Sequence, residues 1–165
     1  MAKKIDVIVV MGSDSDLSCM QGCIAMLEKF NIANEVKILS AHRSPNLIPN
    51  FIKDIKKKDV KVIVAAAGGA AHLAGVLASH TTLPVIGVPM DSKYLKGMDS
   101  LLSTVQMPSG VPVATVAIGD AGAKNAAVLA CQILALNNKS LQKKLEKYKS
   151  ELLSKVKEKN RKLSF

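Results

Sequence analysis

Short runs of apolar residues alternate along the chain with segments whose apolar positions recur at helical spacing. The first run, residues 7–11 (VIVVM), is rich in β-branched side chains and predicts a buried strand. The segment after it predicts an amphipathic helix because its apolar residues lie three or four positions apart. These residues are Leu17, Met20, Ile24, Leu27 and Phe30.

The same alternation continues to about residue 138. Further strands are predicted at 34–39, 61–66, 82–89 and 113–118. Helices are predicted after them, at about 45–57, in an apolar segment that includes His72, at 99–106 and at 119–136. Strands that alternate with helices predict an α/β fold with a doubly wound parallel sheet, in which ligands bind at the carboxyl ends of the strands.

The last segment has a different character. After Asn138 the sequence predicts a highly charged helix with one narrow apolar stripe. The chain therefore divides into an α/β domain, residues 1–138, and a charged amphipathic helix, residues 139–165. The stripe needs a partner surface, either its own subunit or a neighbour, and a neighbour is favoured because a terminal helix readily builds an oligomer. The stripe consists of Leu141, Leu145, Tyr148, Leu152 and Val156.

The composition predicts a soluble single domain with an aliphatic core. The 165 residues are 48% apolar but only 3% aromatic, so Val, Ile, Leu and Ala must form the core, as is typical of a parallel sheet covered by helices. Every apolar run is too short to span a membrane, and the N-terminal sequence MAKKIDVIVV lacks the features of a signal peptide. We therefore expect a cytoplasmic protein without a membrane partner.

The formal net charge of +10 raises the question of nucleic-acid binding. Residues 139–165 contain ten Lys/Arg and three Asp/Glu, a net charge of +7, whereas the rest of the chain carries +3. The tail has few aromatic side chains and no nucleic-acid motif. We therefore interpret it as a solvated helix face and predict no nucleic-acid partner.

The three cysteines, Cys19, Cys23 and Cys131, form no disulfide pattern. Cys19 and Cys23 lie one helical turn apart and could supply half of a metal site, but no other Cys/His pair has ligand spacing. Free cysteines that pack as small apolar side chains are favoured, and no metal is predicted.

The turn after the first strand, residues 12–16 (GSDSD), is the first candidate for chemistry. Backbone N–H groups, hydroxyls and the positive end of a helix dipole at this position suit a phosphate or a ribose. The alternative is that Ser13 or Ser15 only caps the helix. The motif is neither the dinucleotide-fold signature nor the phosphate loop.

Two further strand ends carry unusual turns. In residues 40–45 (SAHRSP), Ser44 can cap a helix that starts at Pro45, which places His42 and Arg43 beside the first turn for proton transfer and anion binding. In residues 67–73 (AGGAAHL), small residues allow close approach to the backbone. The alternatives are that His42 and Arg43 are only exposed turn residues, that the small residues only allow a helix to pack closely on the sheet, and that His72 is a histidine of the core. Residues 107–112 predict either a flap over the site or a connector.

Taken together, the turns resemble the family of N5-carboxyaminoimidazole ribonucleotide mutases of purine biosynthesis, also called phosphoribosylaminoimidazole carboxylase catalytic subunits. The resemblance covers nearly the whole chain up to about Asn138. Each motif is short, but their order and spacing together are highly specific. The motifs are MGSDSD at 11–16, SAHR at 40–43, GGAAHL at 68–73, and VQMP at 105–108 with GVPV at 110–113.

The resemblance implies a three-layer flavodoxin-like domain in a homo-octamer, with sites near subunit contacts. It implies no metal, flavin, nucleotide or biotin cofactor. The implied reaction moves a carbamate carboxylate from the exocyclic nitrogen to C4 of the imidazole ring through aminoimidazole ribonucleotide and trapped CO2. An ATP-dependent synthetase upstream would supply the carbamate.

The resemblance also implies roles for residues in the turns. Ser13, Asp16 and Arg43 would bind the ribonucleotide, and His42 would be the general acid and base. The small-residue turn would hold the carboxylate or CO2 with backbone donors. The other residues assigned to the substrate site are Ser15, Ser40, Ala41, Gly68, Gly69, Ala70, His72 and Leu73.

Four positions depart from the family pattern. Leu17, Ala66 and Ala74 are interpreted as packing changes, whereas Ser109 replaces a frequent Arg in the flap, for which Lys93 and Lys96 could compensate.

Three other functions are alternatives: a carboxylase that joins CO2 directly to aminoimidazole ribonucleotide, a non-catalytic nucleotide-binding module, and a nucleic-acid binder that uses the tail.

Overall fold

The computed structural model describes residues 4–163. Residues 1–3 of the predicted α/β domain and residues 164–165 of the predicted C-terminal helix lie outside this range. Five strands alternate with the first five helices, and a sixth helix follows. The strands are β1 (Val7–Met11), β2 (Asn34–Ile38), β3 (Val62–Ala67), β4 (Val85–Pro89) and β5 (Ala114–Thr115). The helices are α1 (Leu17–Lys29), α2 (Ile48–Lys57), α3 (Leu73–His80), α4 (Met98–Val105), α5 (Gly119–Ala135) and α6 (Lys139–Lys162).

The strands form one parallel sheet in the order β2-β1-β3-β4-β5. The register is direct, since Val9 of β1 lies opposite Val36 on one side and Val64 on the other. All carboxyl ends therefore share one edge, and the chain reverses its direction of travel across the sheet between β1 and β3. This is the flavodoxin-like order, in which ligands bind at that reversal point.

Helices cover both faces of the sheet, which gives the three layers. Alternate residues of β1 face opposite cores: Val7 and Val9 pack with α1 and α5, whereas Ile8 and Val10 pack with α2 and α3. These four side chains are fully buried, which explains why β1 is a continuous apolar run rather than an alternating one. The predicted doubly wound parallel sheet is confirmed.

Small side chains allow α1 and α5 to pack closely on the same face of the sheet. The α5 surface turned inward consists of Ala and Gly with Cys131, and Cys23 of α1 is buried in the same core. Burial raises the pKa of both thiols to about 12. Cys19, Cys23 and Cys131 are free, as predicted.

Three local predictions are wrong. Strand β5 contains only Ala114–Thr115, not 113–118, because it is an edge strand that pairs only with Ile86 and Gly87. Ser44 makes no capping hydrogen bond, and its hydroxyl instead donates to the Ser40 carbonyl at 2.9 Å. His72 precedes α3 and is not inside it.

Helix α6 begins at an Asn138 cap, whose side-chain oxygen accepts from the Leu141 amide at 3.1 Å. Leu141, Leu145 and Tyr148 pack on the chain's own core, and the Tyr148 ring meets Phe30 edge-on at 5.5 Å. The preference for a neighbour is therefore wrong for this half of the stripe, since the groove beside α1 already accommodates it. The other two residues of the stripe, Leu152 and Val156, are exposed, and so is the neighbouring Leu153.

Within residues 4–163, no helix is both long and apolar enough to cross a membrane.

Candidate active site

A cavity of about 550 Å³ opens at the carboxyl edge of the sheet, above the reversal point between β1 and β3. The turns after β1, β2 and β3 converge there, as the parallel topology requires. All twelve residues assigned to the site from the sequence line this one cavity. They are Ser13, Ser15, Asp16, Ser40, Ala41, His42, Arg43, Gly68, Gly69, Ala70, His72 and Leu73.

Two histidines face each other in the cavity. The Nε2 atom of His42, after β2, lies 2.8 Å from the Nδ1 atom of His72, after β3. Their rings meet edge to face, with 76° between the planes. In such a contact one nitrogen donates and the other accepts, so the protonation of each ring fixes the tautomer of the other. The pair can therefore hold a proton beside a ligand and pass it on.

Arg43 is held between the first two turns. Its Nη2 atom donates to the Gly12 carbonyl at 2.7 Å, and its Nε atom donates to the Ser40 hydroxyl at 3.3 Å. The same hydroxyl accepts from the Arg43 backbone amide at 3.1 Å. Arg43 takes part in no ion pair within the described part of the chain. The remaining guanidinium N–H groups are thus suited to a phosphate or carboxylate.

Asp16 is a half-buried carboxylate on the same side of the cavity. Burial raises its pKa, although the Ser13 backbone, the Ser15 hydroxyl and the positive charge of Arg43 oppose the rise. Ser13 also caps the short turn before α1, since its hydroxyl accepts from the Ser15 amide at 3.4 Å. The capping interpretation of Ser13 therefore holds, and the same residue lines the cavity.

Replacing Asp16 by Asn will stabilise the free protein at neutral pH and weaken ligand binding. A carboxyl whose pKa is raised by folding costs stability once it ionises, so the cost is absent below the ordinary pKa of 3.8 and present above the raised value. Thermal unfolding at pH 7 should therefore give a higher midpoint for the variant, and the gain should disappear at pH 3.5 or below. A gain that is independent of pH would contradict this explanation.

The small-residue turn after β3 differs in one respect from expectation. Gly69 adopts φ +65°, which its missing Cβ permits, but its N–H donates to the Ser100 hydroxyl at 2.9 Å. The prediction that the whole turn offers free backbone donors is therefore wrong at Gly69. Among residues 4–163, the N–H groups of Gly68 and Ala70 have no partner.

Sequence reasoning missed two polar residues of the cavity, Asp91 and Ser92. They follow β4, whose carboxyl end lies at the same edge, so the rule that identified the other turns could have found them. The Ser92 hydroxyl donates to the Asp99 carboxylate at 2.7 Å and accepts from the Gly97 amide at 3.0 Å. These bonds hold the loop that connects β4 to α4.

The predicted flap, residues 107–112, does not line the cavity. The loop packs on α3 instead. The side chain of Met107 lies against Gly75, and a Cβ at Gly75 would be only 2.9 Å from the Met107 sulfur. Lys93 and Lys96 are not among the cavity residues either. Within one subunit the loop therefore connects α4 to β5 and does not cover the cavity.

The chain is a flavodoxin-like α/β protein whose cavity combines a histidine pair with an arginine suited to a small anionic ligand. Comparison with known proteins makes this specific. The family model described as AIR carboxylase matches residues 6–155, and the chain belongs to this family.

Relatives and solved structures agree with this assignment. Proteins named N5-carboxyaminoimidazole ribonucleotide mutase are 51% identical over 155 residues in Pyrococcus horikoshii, covering 94% of this chain and 86% of the relative, and 50% identical over 143 residues in Vibrio parahaemolyticus, covering 87% and 89%. The crystal structure of Treponema denticola PurE superposes with a TM-score of 0.88 at 29% identity, covering 96% of this chain and 98% of the other.

Proposed function

We propose that this protein is an N5-carboxyaminoimidazole ribonucleotide mutase, an isomerase that forms 4-carboxy-5-aminoimidazole ribonucleotide in purine biosynthesis. The names of relatives about half identical over most of the chain support this assignment. The observation that most supports it is the contact of 2.8 Å between His42 and His72, in a cavity that also contains Arg43, which forms no ion pair with another residue of the range 4–163.

The ribonucleotide would bind between the first two turns. Arg43 would contact its phosphate, while Asp16 would accept hydrogen bonds from the ribose hydroxyls. The hydroxyls of Ser13, Ser15 and Ser40 would complete this polar side of the site. Ala41, Leu73 and the turn 68–70 would enclose the imidazole ring and its carboxylate.

His42 would serve both steps of the reaction. In the first step the bond between the carbamate carbon and nitrogen breaks, CO2 forms, and the nitrogen takes a proton from His42. In the second step C4 attacks CO2, a carbon–carbon bond forms, and His42 removes the C4 proton. The proton balance closes over the cycle, and no redox partner or nucleotide is consumed. We therefore propose that the protein uses no cofactor.

His72 would assist as the partner of His42. When His42 gives up its proton, the short contact lets His72 Nδ1 donate to or accept from Nε2, which keeps the reacting ring oriented. The edge-to-face geometry suits this role, because a ring nitrogen of one histidine points at a ring nitrogen of the other.

Parallel assays test the assignment. The purified protein is supplied with the carbamate in one reaction, and with aminoimidazole ribonucleotide and bicarbonate in the other. A mutase converts the carbamate quickly and needs very high bicarbonate for the second reaction. Efficient use of the free amine would identify the carboxylase, which the family description names. Absence of turnover in both reactions would favour the non-catalytic nucleotide-binding module.

We also propose that the protein is cytoplasmic, that it acts after an ATP-dependent synthetase, and that it assembles as a homo-octamer. We propose that the α/β domain, 1–138, holds the active site and that the charged helix, 139–165, contributes to assembly through its distal part. Leu153 and Val156 are 56% and 55% exposed, one turn apart on this helix. Neighbouring apolar side chains on a charged helix suit a contact with a second subunit.

Replacing both Leu153 and Val156 by Gln should reduce the oligomer to smaller species. The change leaves the proximal half of α6 on its own core, so the subunit should stay folded. Light scattering gives the mass, and Lys155→Gln is the control on the same part of the helix. An unchanged mass for the double variant would show that this surface does not contribute to assembly.

A further inference from the structure

Two polar side chains are fully buried within residues 4–163, and both contact the small-residue turn of the cavity. Ser100 and Thr104 are 0% and 2% exposed and lie one turn apart on α4. The Ser100 hydroxyl accepts from the Gly69 amide at 2.9 Å. Thr104 donates to the Ser100 carbonyl at 2.7 Å and lies 3.5 Å from the Ala71 carbonyl. Neither residue lines the cavity.

The placement of Ser100 is itself secured at the start of α4. The Asp99 carboxylate accepts from the Ser100 amide at 3.0 Å and from the Ser92 hydroxyl at 2.7 Å. Gly97 precedes the helix with φ +82°, and a Cβ there would lie 2.7 Å from Ile118. The loop after β4 therefore holds α4 in a defined position behind the turn.

The bond to Ser100 determines which backbone groups of the turn face the ligand. It directs the Gly69 N–H toward the buried side of the turn. Because a trans peptide places N–H and C=O on opposite sides, the Gly68 carbonyl points away from Ser100. Gly69 has no neighbouring atom within 4 Å of its missing Cβ and adopts a left-handed conformation, so packing alone does not fix this peptide.

We propose that Ser100 is a positioning residue that fixes the orientation of the Gly68–Gly69 peptide, and that this orientation retains CO2 between the two steps of the reaction. The proposal rests on the proposed mutase function. With the peptide fixed, the N–H groups of Gly68 and Ala70 remain for the carboxylate and CO2. Without the acceptor, the peptide can rotate, and CO2 escapes more often before C4 captures it.

The test compares Ser100→Ala with Ser103→Ala, the same substitution on the same helix. The Ser103 hydroxyl donates to the Asp99 carbonyl at 2.6 Å and does not contact the turn. For Ser100→Ala we expect kcat to fall by roughly threefold to tenfold with little change in KM. We also expect a larger fraction of the carbamate to appear as free aminoimidazole ribonucleotide, after subtraction of uncatalysed decarboxylation. Ser103→Ala should change neither quantity.

A second readout is independent of turnover. Amide hydrogen exchange at Gly69 should be slower in the native protein than in Ser100→Ala, because the variant lacks the acceptor. If Ser100→Ala does not fold, Ser100→Cys leaves no cavity, because its thiol is slightly larger than the hydroxyl, and it offers a weaker acceptor. It should change product partitioning and exchange in the same direction.

The outcomes separate the two proposals. Unchanged partitioning and unchanged Gly69 exchange in the Ser100 variants would overturn the positioning role while native turnover still supports the mutase. Absence of turnover by the native protein would refute the mutase and, with it, the role in CO2 retention.

Discussion

Replacing His42 by Asn will lower kcat by about 10²- to 10⁴-fold, the usual contribution of a general acid and base. Asn keeps a polar group of similar size but cannot exchange a proton near neutral pH. Substrate binding should change little, because the residues proposed to hold the ribonucleotide are Arg43, Asp16 and Ser13 and not His42. Steady-state kinetics give kcat, and calorimetric titration with aminoimidazole ribonucleotide gives the affinity.

His80→Asn is the matched control for this prediction. His80 ends α3 and lines a separate cavity of about 610 Å³ with Lys56 and Lys61. Its ring contacts the Val76 carbonyl at 2.9 Å and not the histidine pair. The control should keep native kcat. Near-native turnover by His42→Asn would remove His42 from the mechanism and direct attention to His72.

Replacing Gly122 by Ala will severely destabilise the fold. A Cβ at Gly122, in the first turn of α5, would overlap the Ala117 carbonyl oxygen and lie 2.6 Å from its carbon. Both atoms belong to the backbone between β5 and α5, so no side chain can rotate to make room. We expect a loss of at least about 3 kcal/mol in the free energy of unfolding. The thermal midpoint should fall by roughly 10 °C.

Gly22→Ala provides the contrast, because it is the same substitution in a helix that packs on α5. The atom nearest to its Cβ would be Lys124 Cε at 3.2 Å, near the end of a flexible side chain that can move. A gain of up to about 1 kcal/mol is expected from helix propensity. Equal midpoints for the two variants would show that the contact with Ala117 relaxes at little cost.

The sequence predicted what depends on local pattern. Apolar runs located β1 and β3, and the rule that parallel strands end at one edge placed His42 and Arg43 beside the turn after β1, where Arg43 donates to the Gly12 carbonyl. The contact of His42 with His72 was not predicted. Asp91 and Ser92 obey the same rule and were missed because their loop was interpreted only as a connection between β4 and the next helix.

Features that depend on distant contacts were not predictable in this way. The acceptor for the Gly69 amide is Ser100, 31 residues away, and no periodicity connects the two. The length of β5 is set by pairing with Ile86 and Gly87, not by the apolar character of its own residues. The packing of Leu145 and Tyr148 likewise depends on a groove that forms only when α1 and α5 are in place.

In the proposed mechanism one cavity carries out both decarboxylation and carboxylation, and the fate of the carboxyl carbon atom shows whether CO2 stays in that cavity between the two steps. Carbamate labelled with ¹³C in its carboxyl group is converted by the native protein in excess unlabelled bicarbonate, and mass spectrometry follows the 4-carboxy product. The mutase mechanism predicts that the product retains the label. Product that carries mainly unlabelled carbon would contradict it, because the CO2 would then have come from solution.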